Sequence, residues 1–324
     1  MQDLTVEPAA LDTGSGTLDV TISARVAVAT GVVALTLVAA DGRDLPLWRP
    51  GAHVDVTLPT GVTRQYSLCG DPEDRSTWRI AVLREERSRG GSAWIHDQAG
   101  EGTSLTVGAP RNLFALEPAR RHVFVAGGVG ITPILPMIHE AERSGVPWEL
   151  WYGGRSRASM AFADDLLRFG DRVHLVPGDT AGRIPIAEVL GTPSTGTTVY
   201  CCGPESMVAA VRDACATWEP GTLHVERFAS EGVAVNGSAA FDVHCARSGV
   251  DVRVEEGTSV LDALLEAGVE ADYSCTQGFC GTCETRVLDG VPDHRDDYLD
   301  HSATPDTMMI CVSRSRCARL VLDL

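Results

Sequence analysis

The first third of the chain alternates short β-branched stretches with turn signals. The turns read "DGRD", "PTG" and "GDPED", and a helical pattern near "SAWIHDQA" interrupts the series. Short strands at this spacing predict an antiparallel β-barrel with one helix over residues 1–117. The six predicted strands are "LDVTISARVAVA", "VVALTLVAA", "HVDVTLP", "RQYSL", "WRIAVLR" and "SLTVGAP".

Residues 118–229 have a different pattern, in which apolar stretches alternate with amphipathic ones. The apolar stretches are "HVFVAGG", "WELWYGG", "RVHLVPG", "TTVYCCG" and "TLHVERF". Between them lie three helical patterns, "PILPMIHEAERSG", "ASMAFADDLLRFG" and "PESMVAAVRDACATW". Continuous apolar strands that cross over through helices predict a parallel α/β sheet.

A small, polar stretch at residues 230–240 predicts a linker before a third block. That block, residues 241–324, begins with two strand patterns, "FDVHCARSG" and "VDVRVEEG". A helix pattern, "SVLDALLEAG", a cysteine-rich loop and further strand patterns follow. The chain is therefore predicted to be a multi-domain protein with three structural blocks.

Charge narrows the classes of partner. The 324 residues carry 27 basic side chains, all arginine, against 44 acidic ones, for a formal net charge of −17. Residues 241–324 alone hold 16 acidic and 7 basic residues. This balance disfavours nucleic acid or an anionic membrane as the partner. It fits docking onto a basic protein surface, and it equally fits simple solubility.

Two further features bear on location. No apolar run approaches the roughly 20 residues that a membrane helix needs. The N-terminus lacks the basic start and apolar core of a secretory signal. Ten cysteines without an export signal indicate a reducing compartment, so a cytoplasmic location is expected.

The stretch "CTQGFCGTC" near the C-terminus has the most specific spacing in the chain. It reads C-x4-C-x2-C, with a distant fourth cysteine, which is the plant-type [2Fe–2S] arrangement. A four-cysteine zinc site prefers two separated C-x2-C knuckles, and disulfides are disfavoured in a reducing compartment. The predicted iron ligands are Cys275, Cys280, Cys283 and Cys311.

Two motifs lie in the predicted barrel. "RQYSL" ends a strand, and "RGGS" opens the predicted helix. Arginine, two glycines and a helix N-terminus together can hold a phosphate. Each motif alone also fits an ordinary barrel strand or a surface turn. The candidate residues are Arg64, Tyr66, Ser67, Arg89, Gly91 and Ser92.

Two more motifs end strands of the predicted parallel sheet. "AGGVGITPI" and "YCCGPESM" each run from strand end through glycine into a helix. Open α/β sheets bind ligands at the carboxyl ends of their strands. An ordinary strand–helix turn and a packed cysteine remain the alternatives. The candidate residues are Gly127, Gly128, Gly130, Thr132, Cys202 and Gly203.

The order of these five motifs resembles the phthalate dioxygenase reductase family, which includes vanillate demethylase reductases. That family belongs to the ferredoxin–NADP reductase-like flavoproteins, and the resemblance runs from about residue 18 to the C-terminus. It implies an FMN-binding β-barrel, a nicotinamide-binding α/β domain and a β-grasp [2Fe–2S] ferredoxin domain.

The resemblance also implies roles for single residues. Motif matching places the "RQYSL" residues on FMN, the "RGGS" residues on its phosphate, and the "GGVG" glycines at NAD(P)H. The cysteine of "CCGP" would lie near the nicotinamide, and Phe228 would cover the flavin with Glu226 nearby. The implied catalytic set is Ser67, Thr132, Cys202 and Glu226; the hydroxyls orient and polarise the flavin, and no acid–base residue is predicted.

These parts predict an electron-transfer enzyme. NAD(P)H delivers two electrons as hydride, an iron–sulfur cluster accepts one at a time, and flavin is stable in both kinds of step. The family resemblance implies a terminal oxygenase as acceptor, either a Rieske-type aromatic oxygenase or demethylase or a cytochrome P450. A non-enzymatic redox sensor and a self-contained NAD(P)H oxidase or flavin reductase are further alternatives.

The choice of nucleotide depends on two arginines. Arg155 and Arg157 in "GGRSRASM" follow the second strand of the predicted parallel sheet, where arginines can grip the 2′-phosphate of NADPH. Exposed arginines at the start of a helix are the plainer interpretation, and the family favours NADH. A monomer is expected.

Overall fold

The computed structural model describes residues 16–85, 90–228, 239–273, 276, 278, 281–296, 298–299 and 304–324. The chain divides into two units, Met1–Glu226 and Arg227–Leu324.

Six antiparallel strands form the first sheet of the first unit, in the order β4-β3-β6-β1-β2-β5. An isolated bridge joins Leu68, just after β4, to Ile80 in β5, so the two ends of the strand order are in contact. The strands are β1 Thr17–Ala29, β2 Val32–Ala39, β3 His53–Thr57, β4 Thr63–Ser67, β5 Trp78–Leu83 and β6 Ser104–Gly108. All six predicted strands are present.

Strand β2 supplies both of its faces to apolar cores. Val33 and Leu35 join the core inside the six-stranded sheet. Val32 and Ala34 join a second core, which includes residues of the α/β layer. Because side chains alternate across a strand, a continuous apolar run serves two cores at once. The two sheets of the first unit are therefore packed through β2.

A five-stranded parallel sheet forms the second layer, in the order β11-β10-β7-β8-β9. Phe124 and Tyr200 pack on one face, while Val125 and Val199 pack on the other. Burial on both faces explains why these strands are continuously apolar. The strands are β7 Arg121–Gly127, β8 Trp148–Gly154, β9 Val173–Pro177, β10 Thr197–Cys202 and β11 Leu223–Glu226.

The helices of the first unit agree with the prediction at three places and differ at two, one of which is a short helix after β9 that was not predicted. The pattern "ASMAFADDLLRFG" predicts one helix, whereas only four residues of it are α-helical, between two 3₁₀ segments. Phe162 has φ 58° and Gly170 has φ 62°, and such left-handed residues interrupt a right-handed helix. The helices are α1 Gly91–Gln98, α2 Ile131–Ser144, α3 Ala163–Leu166, α4 Ile186–Leu190 and α5 Glu205–Ala214.

The second unit combines a mixed five-stranded sheet, ordered β13-β12-β18-β14-β16, with one helix and a two-stranded sheet of β15 and β17. The central pair β12 and β18 is parallel, and the other neighbours are antiparallel. The strands are β12 Phe241–Cys245, β13 Asp251–Val254, β14 Glu284–Asp289, β15 Pro292–Asp293, β16 Thr307–Met309, β17 Arg314–Ser315 and β18 Arg319–Leu322. The helix is α6 Val260–Glu266.

Helix α6 begins where its sequence predicts. The Ser259 hydroxyl accepts a hydrogen bond from the backbone N–H of Asp262 at 3.0 Å, which is a typical N-cap. Val260, Leu261 and Leu264 are buried in the core of the second unit. Among the described residues, none of the helices could cross a membrane. The predictions of an antiparallel sheet and a parallel sheet are confirmed, while the predicted domain limits stay predictions.

Candidate functional site

Three strand ends meet at one edge of the parallel sheet. Cys202, the last residue of β10, is paired in register with Ala126 of β7 on one side and Glu226 of β11 on the other. The glycine turn after β7 and the glycine turn after β10 are therefore neighbours. This is the edge at which open α/β sheets bind ligands, and it carries two of the predicted motifs.

The glycines of these turns allow close contact within the protein itself. A Cβ added to Gly130 would lie 2.2 Å from the carbonyl oxygen of Cys202, and one added to Gly127 would lie 2.5 Å from Pro204 Cδ. A Cβ on Gly203 would lie 3.0 Å from Gly127 Cα. Only Gly128, at φ 56°, has open space around it. The approach of these glycines to NAD(P)H stays a prediction, and Gly128 has the geometry that suits it best.

Thr132 lies in the first turn of α2 and is 2% exposed. Its hydroxyl donates a hydrogen bond to the carbonyl oxygen of Val129 at 2.9 Å. The hydroxyl proton is thus already engaged, although the oxygen can still accept. The predicted role of Thr132 in polarising the flavin stays a prediction. In that role Thr132 would accept a hydrogen bond through the lone pairs of its hydroxyl oxygen.

Ser67 and Glu226 carry buried oxygen atoms without hydrogen-bond partners. Ser67 Oγ and Glu226 Oε2 are both shielded from solvent, and neither has a hydrogen bond within the described part of the chain. Burial raises the pKa of Glu226 to about 8, and the nearby Ser67 hydroxyl offsets part of this increase. A carboxyl group with such a pKa is largely protonated at neutral pH. Unsatisfied buried polar atoms in a strand-end cleft indicate a ligand site.

A pH dependence of stability follows from Glu226. The folded protein holds the Glu226 proton up to about pH 8, whereas the unfolded chain releases it near the ordinary value of 4.5. The free energy of unfolding should therefore fall as pH rises from 4.5 to 8, by at most about 1.4 kcal/mol per pH unit. We expect Glu226→Gln to make this fall shallower. Melting temperatures of both proteins across that range would test it, and parallel pH curves would contradict it.

Cys202 is fully buried and adjacent to Glu226. Burial raises its pKa well above the ordinary value, and the Glu226 carboxylate raises it further. The side chain is therefore a neutral thiol at physiological pH. A neutral buried thiol is not a nucleophile, so Cys202 can act here only through packing and polarity.

The two motifs of the antiparallel sheet are brought together. A Cβ added to Gly91 would lie 2.8 Å from Arg64 Cγ, so the Arg64 side chain packs directly on the start of α1. The Ser92 hydroxyl accepts the backbone N–H of Glu85 at 3.1 Å. Burial raises the pKa of Tyr66 to about 12, so its hydroxyl stays protonated. Arg89, the remaining residue of this predicted set, lies outside the described residues.

The arginines that follow β8 differ in their surroundings. Arg157 forms an exposed ion pair with Asp164 at 2.5 Å, and exposed pairs of this kind contribute about 0–1 kcal/mol. Ser156 and Ser159 form a capping box between them. The predicted grip of Arg155 and Arg157 on a 2′-phosphate stays a prediction. Phe228, which is 39% exposed, belongs to the second unit, and its predicted position over the flavin likewise stays a prediction.

In the second unit, two of the four predicted iron ligands are described. Cys283 and Cys311 are 3% and 5% exposed. Strands β14 and β16 pair Glu284 with Met309, and the backbone N–H of Ile310 donates to the Cys283 carbonyl at 3.4 Å. Neighbouring strand ends therefore place these two thiols in the same region. Cys275 and Cys280 lie outside the described residues.

Two glycines between the predicted cysteine ligands have a backbone conformation that suits a bound cluster. Gly278 and Gly281 both have φ 77°, a conformation that strongly favours glycine. A Cβ on Gly278 would lie 2.5 Å from Val312 Cγ2, and one on Gly281 would lie 2.5 Å from Tyr298 Cζ. Gly278 and Gly281 are therefore closely packed against residues that follow them in the chain. Two buried thiols beside such a loop fit a [2Fe–2S] cluster.

The sequence predictions had not included Tyr298 among the site residues. It lies in the stretch "DDYLD" and is 38% exposed. An aromatic residue among acidic ones is the only signal of it in the sequence. The proton held by Glu226 was missed as well, because burial of one carboxylate oxygen leaves no trace in the sequence.

Comparisons with known proteins agree with these observations. Residues 243–316 match the family Fer2, described as a 2Fe-2S iron-sulfur cluster binding domain. A phenoxybenzoate dioxygenase subunit beta from Ectopseudomonas oleovorans is 47% identical over 279 residues, covering 85% of this chain and 87% of that protein. Vanillate O-demethylase oxidoreductase from Acinetobacter baylyi is 36% identical over 314 residues, covering 95% of this chain and 99% of that protein.

Two solved structures extend the comparison to three dimensions. Phthalate dioxygenase reductase superimposes with a TM-score of 0.76 at 35% identity, covering 95% of this chain and 98% of that one. An intact type IV self-sufficient cytochrome P450 monooxygenase superimposes with a TM-score of 0.83 at 44% identity. That match covers 95% of this chain but 41% of the monooxygenase, so this chain spans about two-fifths of its length.

Proposed function

Because this chain belongs to the family of phthalate dioxygenase reductase and vanillate O-demethylase oxidoreductase, we propose that it delivers electrons to a terminal oxygenase. The electrons come from NAD(P)H and pass through FMN and a [2Fe–2S] cluster, one at a time. The observation that carries this proposal is the extent of the match to phthalate dioxygenase reductase, which covers 95% of the chain and so runs through both units.

The fold supports a finer division than two units. We assign residues 1–117 to a closed FMN-binding β-barrel, 118–229 to a nicotinamide-binding domain, 230–240 to a linker and 241–324 to a β-grasp ferredoxin domain. The bridge between Leu68 and Ile80 supports closure of the barrel, because it joins the ends of the strand order. The parallel pair β12 and β18 within a mixed sheet supports the β-grasp assignment.

Bound FMN supplies the conversion from two-electron to one-electron transfer. Around it, the buried Ser67 hydroxyl lies beside the Glu226 carboxyl and would orient a ring atom. The Glu226 carboxyl holds a proton at neutral pH. Cys202 and Thr132 limit the space at the strand ends, and the buried neutral thiol keeps that space apolar.

The phosphate of FMN would lie at the start of α1. Arg64 packs on Gly91 there, and Ser92 is the next residue. A helix N-terminus and a guanidinium together bind phosphate. Arg89 completes the set by its sequence position. For the nucleotide, the pairing of Arg157 with Asp164 agrees with NADH, since the Asp164 carboxylate offsets the positive charge that would attract a 2′-phosphate.

Two kinds of oxygenase are candidates for the partner. A Rieske-type aromatic oxygenase or demethylase is favoured by the relatives named as a dioxygenase subunit and a vanillate O-demethylase oxidoreductase. A cytochrome P450 is favoured by the match to the self-sufficient P450 monooxygenase. Mixing the purified protein and NADH with one acceptor of each kind would separate them. Reduction of neither acceptor would contradict the proposed function.

The cofactors can be tested directly on the purified protein. We expect FMN after denaturation, iron and acid-labile sulfide in equal amounts, and NADH-dependent reduction of an artificial acceptor. Steady turnover with that acceptor also separates an enzyme from a redox sensor. Zinc in place of iron would contradict the central assignment.

Salt should slow electron transfer to the oxygenase more than electron transfer to a small neutral dye. The acidic ferredoxin unit would attract a basic docking face of the partner, and such attraction is screened by salt. We expect raised ionic strength to slow reduction of the oxygenase by about tenfold or more while reduction of a neutral dye changes little. Equal sensitivity of both rates would contradict steering by charge.

The remaining assignments are proposals of the same kind. The acidic balance of the chain supports neither nucleic acid nor an anionic membrane as partner. We infer a cytoplasmic location and a monomeric state. Size-exclusion chromatography of the purified protein would test the monomeric state.

A further inference from the structure

The stretch His294–Leu299 in the second unit contains a buried carboxylate. The Asp296 side chain is 0% exposed. Its Oδ2 accepts the backbone N–H groups of Leu299 at 2.8 Å and Tyr298 at 3.3 Å. A buried charge persists only where hydrogen bonds compensate it. Asp296 therefore holds the backbone of Tyr298 and Leu299.

The same carboxylate is bonded to the strand region that carries a cysteine ligand. The Ser313 hydroxyl donates to Asp296 Oδ1 at 3.1 Å, and the backbone N–H of Arg295 donates to Ser313 Oγ at 3.2 Å. Ser313 is fully buried and lies two residues after Cys311. The described residues of this stretch are thus fixed to the region of Cys311.

The stretch also touches the cysteine loop at both of its glycines. A Cβ on Gly278 would lie 3.2 Å from Asp296 Cα, and one on Gly281 would lie 2.5 Å from Tyr298 Cζ. Gly278 and Gly281 alternate with the predicted cysteine ligands along the loop. The Tyr298 ring therefore lies against Gly281, while 38% of the residue remains exposed.

A ring in this position excludes water from the part of the loop that it covers. The reduction potential of an iron–sulfur cluster depends on its exposure to solvent and on hydrogen bonds to the sulfurs. Water stabilises the reduced form more than the oxidised form, since the reduced cluster carries the greater negative charge. Removing the ring should therefore raise the potential and open the loop to small solutes.

We propose that Asp296 is a positioning residue that holds Tyr298 against the cysteine loop, and that the Tyr298 ring shields the cluster from solvent. The inference rests on the proposed function only for the presence of the cluster. It concerns access to the cluster, and so it can be tested without any oxygenase.

The test uses four variants of the full-length protein and one control variant. Tyr298→Ala removes the ring, and Tyr298→Phe keeps it. Asp296→Ala removes the hydrogen bonds, whereas the amide oxygen of Asp296→Asn still accepts from the two backbone N–H groups while the charge is lost. The readouts are the rate of iron loss to a chelator under argon and the midpoint potential of the cluster.

We expect Tyr298→Ala and Asp296→Ala to lose iron about tenfold faster, the factor that corresponds to about 1.4 kcal/mol of local stability. Their midpoint potentials should shift upward. Tyr298→Phe and Asp296→Asn should remain near the unmodified protein in both readouts. Leu288→Ala, which truncates an exposed apolar side chain of the same unit, is the matched control and should change neither value.

Two outcomes would overturn the proposal. Unchanged iron loss and potential in Tyr298→Ala would show that the ring is not a shield. If the iron loss and midpoint potential of Asp296→Asn changed as much as those of Asp296→Ala, the effect would come from the charge of Asp296 and not from its hold on Tyr298. Absence of iron and sulfide from the unmodified protein would instead contradict the proposed function, so the two failures are distinguishable.

Discussion

Replacement of Cys311 by alanine should abolish electron delivery beyond the flavin. Cys311 is 5% exposed and lies one residue beyond Ile310, whose N–H contacts the Cys283 carbonyl. A [2Fe–2S] cluster needs four protein ligands, and alanine cannot supply one. We expect no reduction of the oxygenase above background, while NADH still reduces the flavin at close to its normal rate.

Two measurements separate reduction of the flavin from electron delivery to the oxygenase. Stopped-flow bleaching of the flavin by NADH reports the first, and reduction of the oxygenase reports the second. The melting transition of the second unit should also fall, because cluster binding contributes to folding. Cys317→Ala, which removes a partly exposed cysteine outside the ligand set, is the control and should retain cluster and activity. Loss of flavin reduction in Cys311→Ala would contradict the modular scheme.

Much of the fold could be predicted from hydrophobic patterning. The six strands of the antiparallel sheet and the five of the parallel sheet all lie where apolar stretches had placed them. The signal is strong where strands are central in the parallel sheet, because β7 and β10 are buried on both faces. The cysteine spacing was equally informative, since a C-x4-C-x2-C loop with a distant fourth cysteine serves very few other chemistries.

Patterning failed where a single backbone angle decides the structure. The stretch "ASMAFADDLLRFG" has helical periodicity, yet Phe162 adopts φ 58° and leaves only four α-helical residues. Phe162 is 4% exposed and lies in the same apolar core as Tyr152 and Met160. Tertiary packing compensates for a conformation that costs about 1–2 kcal/mol. This compensation cannot be predicted from the local sequence, because it comes from residues elsewhere in the core.

The candidate site was only partly predictable, for a related reason. Motifs identified which residues gather at the strand ends, but they do not reveal protonation or contact. Glu226 holds its proton because one carboxylate oxygen is buried without a partner. Tyr298 matters because it lies on Gly281, seventeen positions earlier in the chain. Both facts depend on the assembled structure.

Replacement of Gly130 by alanine should disable the nicotinamide site. Gly130 has φ −62°, which any residue can adopt, so the backbone conformation itself is no obstacle. The obstacle is space, because the new Cβ would lie 2.2 Å from the Cys202 carbonyl oxygen and 2.6 Å from its carbon. Since both atoms are backbone, neither can rotate away. The turn that carries Thr132 and the turn that carries Cys202 must move apart.

We expect Gly130→Ala to slow flavin reduction by NADH by about 10²-fold, since a displacement near 1 Å at a reacting centre has an effect of this size. Stability should fall by about 1–3 kcal/mol, as for other overpacked sites. Gly145→Ala, at the C-terminal end of α2, is the matched control: its φ of 71° strains alanine, but nothing lies within 4 Å of the added Cβ. It should lose about 1 kcal/mol and leave the two turns in contact. If Gly145→Ala slowed flavin reduction as much as Gly130→Ala, backbone strain rather than contact between the turns would be responsible.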